Sequence, residues 1–132
     1  MDQIHPAPED DPHRTAITER NIAAVWSTYA ALGQHRLIYT NTVSVLEGPT
    51  VSRAMDSSDI EVTHILLTAE EATVRERLAQ REIGCQLQAH IERSLRMAQY
   101  LDERAPVGTV RIPTDGRSVQ DIAMRVVEAA DW

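Results

Sequence analysis

Three short runs of β-branched and aliphatic residues, at 36–43 (RLIYTNTV), 60–68 (IEVTHILLT) and 109–113 (TVRIP), alternate with stretches whose apolar residues recur every three or four positions. Runs of strand length interleaved with helical patterns specify an α/β layer with parallel strands, because parallel neighbours need a crossover long enough to hold a helix. The first helix is predicted over 12–32. Asp11-Pro12 provides an N-cap and a first-turn proline, Ile22, Val25, Trp26, Tyr29 and Leu32 keep helical spacing, and Gly33 ends the run. After the strand at 60–68 comes a capping-box pattern, Thr68 with Glu71, which predicts a helix through Val74 and Leu78 to about Glu82. Leu87, Ile91, Leu95, Ala98 and Leu101 set out a third helix to about Arg104, and Ser118 caps a last one whose apolar face is Val119, Ile122, Ala123, Val126, Val127 and Ala130. Residues 1–12, with Pro6, Pro8 and Pro12, read as a loop. Residues 44–59 read as a connection with one helical turn near 51–55. At 132 residues the expected organisation is one domain spanning 1–132.

Composition narrows the chemistry. All 13 basic side chains are arginine and lysine is absent, which excludes a Schiff-base lysine, a lysine general base and a phosphate-loop lysine from this chain. A single cysteine, Cys85, excludes an intrachain disulfide and a cysteine-rich zinc site. The five histidines share no metal-ligand spacing, so no metal site is expected. A net charge of −7 repels phosphate backbones and acidic membranes, so neither nucleic acid nor a membrane is an expected partner. There is no long apolar run and no basic-then-apolar leader, which points to a soluble, cytoplasmic protein.

Few residues suggest a site. Arg77 and Arg81 stand four apart on one helix face with Arg75 beside them, an arrangement that destabilises a helix slightly unless an anion or a carboxylate lies opposite. Spacing alone favours neutralisation by Glu70, Glu71, Glu76 or Glu82. A phosphate is the alternative partner. Asp115, Gly116 and Arg117 follow the last strand, at the strand end where α/β folds bind ligands, and the same Thr-Asp-Gly also suits a plain turn.

The passages ILLTAEEATVRERLAQRE (65–82) and TVRIPTDGRSVQDIA (109–123) resemble the strand, arginine-bearing lid helix, last strand and base-side turn of phosphate-loop kinases of the nucleoside and nucleotide kinase type. MDQI at the start and HRTAITERNIAAVW at 13–26 are similar to the D-x-D-Q-I stretch and the HR…RN…W helix of such kinases. The resemblance implies an incomplete three-layer α/β/α phosphate-loop kinase-like fold with parallel strands and flanking helices. It implies Arg77 and Arg81 as lid arginines acting on a transferring phosphoryl group, Asp2 as a candidate base near the acceptor, Arg93 as a further lid arginine, and Asp115, Gly116 and Arg117 as adenine-side residues.

The first strand, the phosphate loop (G-x-x-x-x-G-K-[ST]) and the first helix of that family have no counterpart, and none of the five glycines lies in such a cluster. The expectation is therefore an N-terminally truncated remnant or fragment of an ATP-dependent small-molecule kinase, inactive as given. ATP, magnesium and a small-molecule phosphate acceptor belong to an intact homologue, and no cofactor is expected for the chain itself. A non-catalytic α/β interaction or dimerisation module is the alternative. An absent central strand would also favour a homodimer.

Overall fold

A computed structural model describes residues 15–81 and 84–132. The loop at 1–12, the helix start at Asp11-Pro12, Asp2 and the helix end at Glu82 lie outside the described residues. The chain divides into two compact units, one up to Val62 and one from Thr63.

In the first unit, the helical spacing predicted from sequence forms α1, Thr15–Ala31. Gly33, at φ +90°, takes a left-handed conformation that a side chain would disfavour, and its N–H donates to Ala30 O at 3.0 Å, closing the helix. Residues 36–43 correct the sequence reading. They have strand propensity but join no sheet, and two successive helical pieces follow: a 3₁₀ turn at Ser44–Leu46 and α2 at Gly48–Met55. The reason is visible at Asn41. Its Oδ1 accepts the Val43 N–H at 2.7 Å, an Asx turn that diverts the chain where a strand would have continued. Its Nδ2 donates to Tyr39 Oη at 2.7 Å and to Glu47 Oε2 at 2.9 Å, and Tyr39 Oη donates to the same carboxylate oxygen at 2.9 Å. Burial, then the Glu47 carboxylate, raise the Tyr39 phenol above its ordinary pKa, so it stays protonated as the donor. Pro49 starts α2 without losing a needed donor, and α2 packs on α1, with Arg53 bridging to Glu19 at 3.2 Å. Among the described residues of this unit Val45 and Ala54 are the buried apolar side chains.

The second unit carries the sheet. Strands β1 (Ile65–Thr68) and β2 (Val110–Pro113) run parallel in the register Ile65↔Val110 to Thr68↔Pro113. The crossover between them consists of α3 (Glu71–Arg81) and α4 (Leu87–Arg104), and α5 (Val119–Ala129) follows β2 and packs on it. The α/β class and the parallel pairing stand as read from sequence. The strand at 60–68 contracts to its last four residues, the most apolar stretch of the run.

Among the described residues of this unit the buried apolar side chains are Ile91 and Leu101 of α4 and Ile112 of β2. Ser118 caps α5 as expected, its Oγ accepting the Asp121 N–H at 3.1 Å. The expected apolar face of α5 is covered only in part. Ile122 and Val126 are half-buried, whereas Val119 is 84% exposed and Val127 is exposed. Two strands lie about 5 Å apart, too narrow a floor for the whole face. No described helix is long and apolar enough to cross a membrane.

Candidate functional site

The carboxyl ends of β1 and β2 are joined by Thr114, a buried polar residue directly after Pro113. Its N–H and its Oγ1 both donate to the Thr68 carbonyl, each at 2.8 Å. Arg77 reaches it from α3, with one terminal nitrogen donating to Thr114 Oγ1 and the other to Thr114 O, each at 2.9 Å. The hydroxyl thus donates once and accepts once, so its burial leaves no bond unmade.

Asp115 turns back towards α3. Its Oδ1 accepts the Glu70 N–H at 2.9 Å, and the Thr73 hydroxyl also hydrogen-bonds to its carboxylate. This carboxylate, rather than Thr68, caps α3, which begins only after Glu70. The Thr73 and Glu70 hydrogen bonds, with the Arg77 charge as a lesser cause, hold Asp115 below its ordinary pKa of 3.8.

A group with a depressed folded pKa contributes stability above its unfolded value, and that contribution is lost as pH falls through the folded one. Melting temperature is therefore expected to fall as pH drops below the ordinary carboxylate value of 3.8. Asp115→Asn, which keeps an acceptor oxygen but no charge, should flatten that fall. An unchanged acid limb in the variant would show that this carboxylate does not couple folding to protons.

Gly116, at φ +63°, reverses the chain, and Arg117 then pairs with Asp121 at 3.3 Å. Thr73, Glu76, Arg77 and Gln80 of α3 and Gly116 and Arg117 of the turn line a cleft of about 370 Å³. The structure therefore brings together four of the residues selected from sequence: Arg77, Gly116 and Arg117 as lining, and Asp115 behind them as the cap. It does not bring Arg81 or Arg93 there. Both are exposed, on α3 and α4, and neither lines the cleft nor forms an ion pair among the described residues. Arg75 is a surface cation, bound to Glu71 one turn away at 2.7 Å.

Thr114 and Thr73 escaped the sequence reading. A threonine placed directly after a strand-ending proline was the available signal for the first, whereas the second has no local signal. Among the described residues no three His, Cys, Asp or Glu side chains are grouped to hold a metal. No protein family, curated protein or solved structure matches the chain.

Proposed function

We propose that these residues form the lid-and-turn side of a three-layer phosphate-loop kinase-like domain of the nucleoside or nucleotide kinase type. On this reading the chain by itself binds the anionic end of a small phosphorylated molecule and transfers nothing. One observation carries the reading: the arginine helix and the Asp115-Gly116-Arg117 turn, far apart in sequence, meet in one cleft at the carboxyl ends of parallel strands. Among the described residues Arg77 forms no salt bridge, and it spends two of its five N–H donors on Thr114, which leaves donors for an anion. Glu76 in the same lining favours a singly phosphorylated ligand over a polyphosphate.

The residues present do not fit ATP and magnesium. There is no lysine, and the glycines sit at separate positions 33, 48, 84, 108 and 116 rather than in one loop. No phosphoryl-transfer step is assigned to this chain.

Titration with a nucleoside monophosphate, followed by amide NMR shifts, is expected to move Thr73, Arg77, Gly116 and Arg117 with a dissociation constant of about 1 mM. Arg77→Met should weaken binding about tenfold, a change of ~1.4 kcal/mol. Unmoved shifts at these four amides, or magnesium-dependent transfer from ATP by the purified chain, would overturn the reading.

A second reading, a non-catalytic interaction module, is favoured by a separate observation. Among the described residues β1 has β2 as its only hydrogen-bonded neighbour.

A further inference from the structure

The two edges of the small sheet differ. The Val110 N–H donates to His64 O at 2.9 Å and the Thr114 N–H to Thr68 O at 2.8 Å. In a parallel ladder the residues bonded to the neighbour alternate with residues that face away, so His64, Leu66 and Thr68 serve β2 while the main-chain groups of Ile65 and Leu67 point to the other edge. On β2 the outward positions are Arg111 and Pro113. Pro113 has no N–H to offer, and the Arg111 side chain is held by Asp102 at 2.7 Å.

Natural edge strands are blunted by proline, charge or a bulge. The outer edge of β2 has such protection. The edge of β1 has none, because residues 62–68 (VTHILLT) contain no Asp, Glu, Arg, Lys, Pro or Gly, and Leu67 is 53% exposed.

We infer that the β1 edge pairs with β1 of a second copy of this chain, antiparallel about a two-fold axis at Leu66, with Ile65 opposite Leu67 of the other copy. In that register each Ile65–Leu67 pair exchanges both of its main-chain hydrogen bonds, and the exposed Leu67 side chain is covered by Ile65 across the axis. Two features favour a second copy over an unrelated strand. The product is a four-stranded sheet ordered β2-β1-β1-β2, whose outer edges both carry Pro113, so assembly closes at the dimer instead of propagating. The strip 62–68 also carries no Asp, Glu, Lys or Arg, so the proposed register sets no like charges directly opposite each other within it. The inference does not depend on the anion cleft. It rests on the ladder alone.

The experiment is sedimentation velocity over a wide concentration range, with hydrogen exchange of the Ile65 and Leu67 amides measured at both ends of it. A monomer–dimer equilibrium is expected, with those two amides slowing as dimer forms. Leu67→Pro removes only an outward N–H and leaves the β1–β2 ladder intact, while Leu67→Lys puts a charge on the edge at an exposed position. Each should raise the association midpoint tenfold or more without loss of the folded far-UV spectrum. A chain that stays monomeric throughout, with fast exchange at both amides, would leave the edge for some other strand and overturn the inference. So would a dimer that persists in both variants.

Discussion

Replacing Ile112 with alanine is expected to remove about 2–5 kcal/mol from the stability of the second unit, the range for truncating a buried aliphatic side chain to alanine. Ile112 is 4% exposed, lies in β2 with β1 paired beside it, and belongs to the strand against which α5 packs. The loss has two parts, the transfer of the removed methylene and methyl groups to water and the cavity left behind. With so few apolar side chains buried, little else can collapse into the gap. Domains of this size are stable by about 5–15 kcal/mol, so the variant should melt far lower or fail to fold at ambient temperature. Val119→Ala provides the contrast. That side chain is 84% exposed, and its removal should change stability by under about 0.5 kcal/mol. Urea denaturation of both variants checks the pair, and an Ile112→Ala loss below about 1 kcal/mol would mean that the core lies elsewhere.

What the sequence revealed and what it hid divide along a physical line. Features fixed by residues within one turn of each other were legible: Gly33 ends α1, and Ser118 caps α5 through the Asp121 N–H. The parallel direction of 65–68 and 110–113 also followed from apolar runs alternating with helical patterns, whereas which of the expected strands would be neighbours was not legible. The α3 cap was not legible. Thr68 and Glu71 have the spacing of a capping box, but the carboxylate that takes the Glu70 N–H comes from Asp115, whose approach depends on the sheet register. Residues 36–43 failed for a related reason. Strand propensity reports a fit to a pleated, half-buried surface, and here Asn41 and Glu47 bind that segment into a loop instead. In the site, an arginine pair four residues apart drew attention to both Arg77 and Arg81, yet only one of them reaches Thr114.

Replacing Thr114 with valine is expected to destabilise the second unit by about 1–3 kcal/mol, although the side chains have nearly the same shape. The Thr68 carbonyl keeps the Thr114 N–H at 2.8 Å but loses the hydroxyl bond, and one Arg77 nitrogen loses its acceptor while the other keeps Thr114 O. Thr114 is buried, so water does not readily replace the missing oxygen for Thr68, whereas exposed Arg77 can turn towards solvent. The stability loss should therefore come mainly from the strand ends, and a loss of the proposed anion affinity from the released Arg77. The two effects separate experimentally. Thr114→Ser keeps the hydroxyl and drops one methyl group, so it should retain affinity while losing a smaller share of stability. A cycle combining Thr114→Val with Arg77→Met should show coupling of about 0.5–3 kcal/mol in unfolding free energy, because the two side chains share one hydrogen bond. Additive losses, or a Thr114→Val variant within about 0.5 kcal/mol of the parent, would show that the Arg77–Thr114–Thr68 chain does not hold the cleft wall to the sheet.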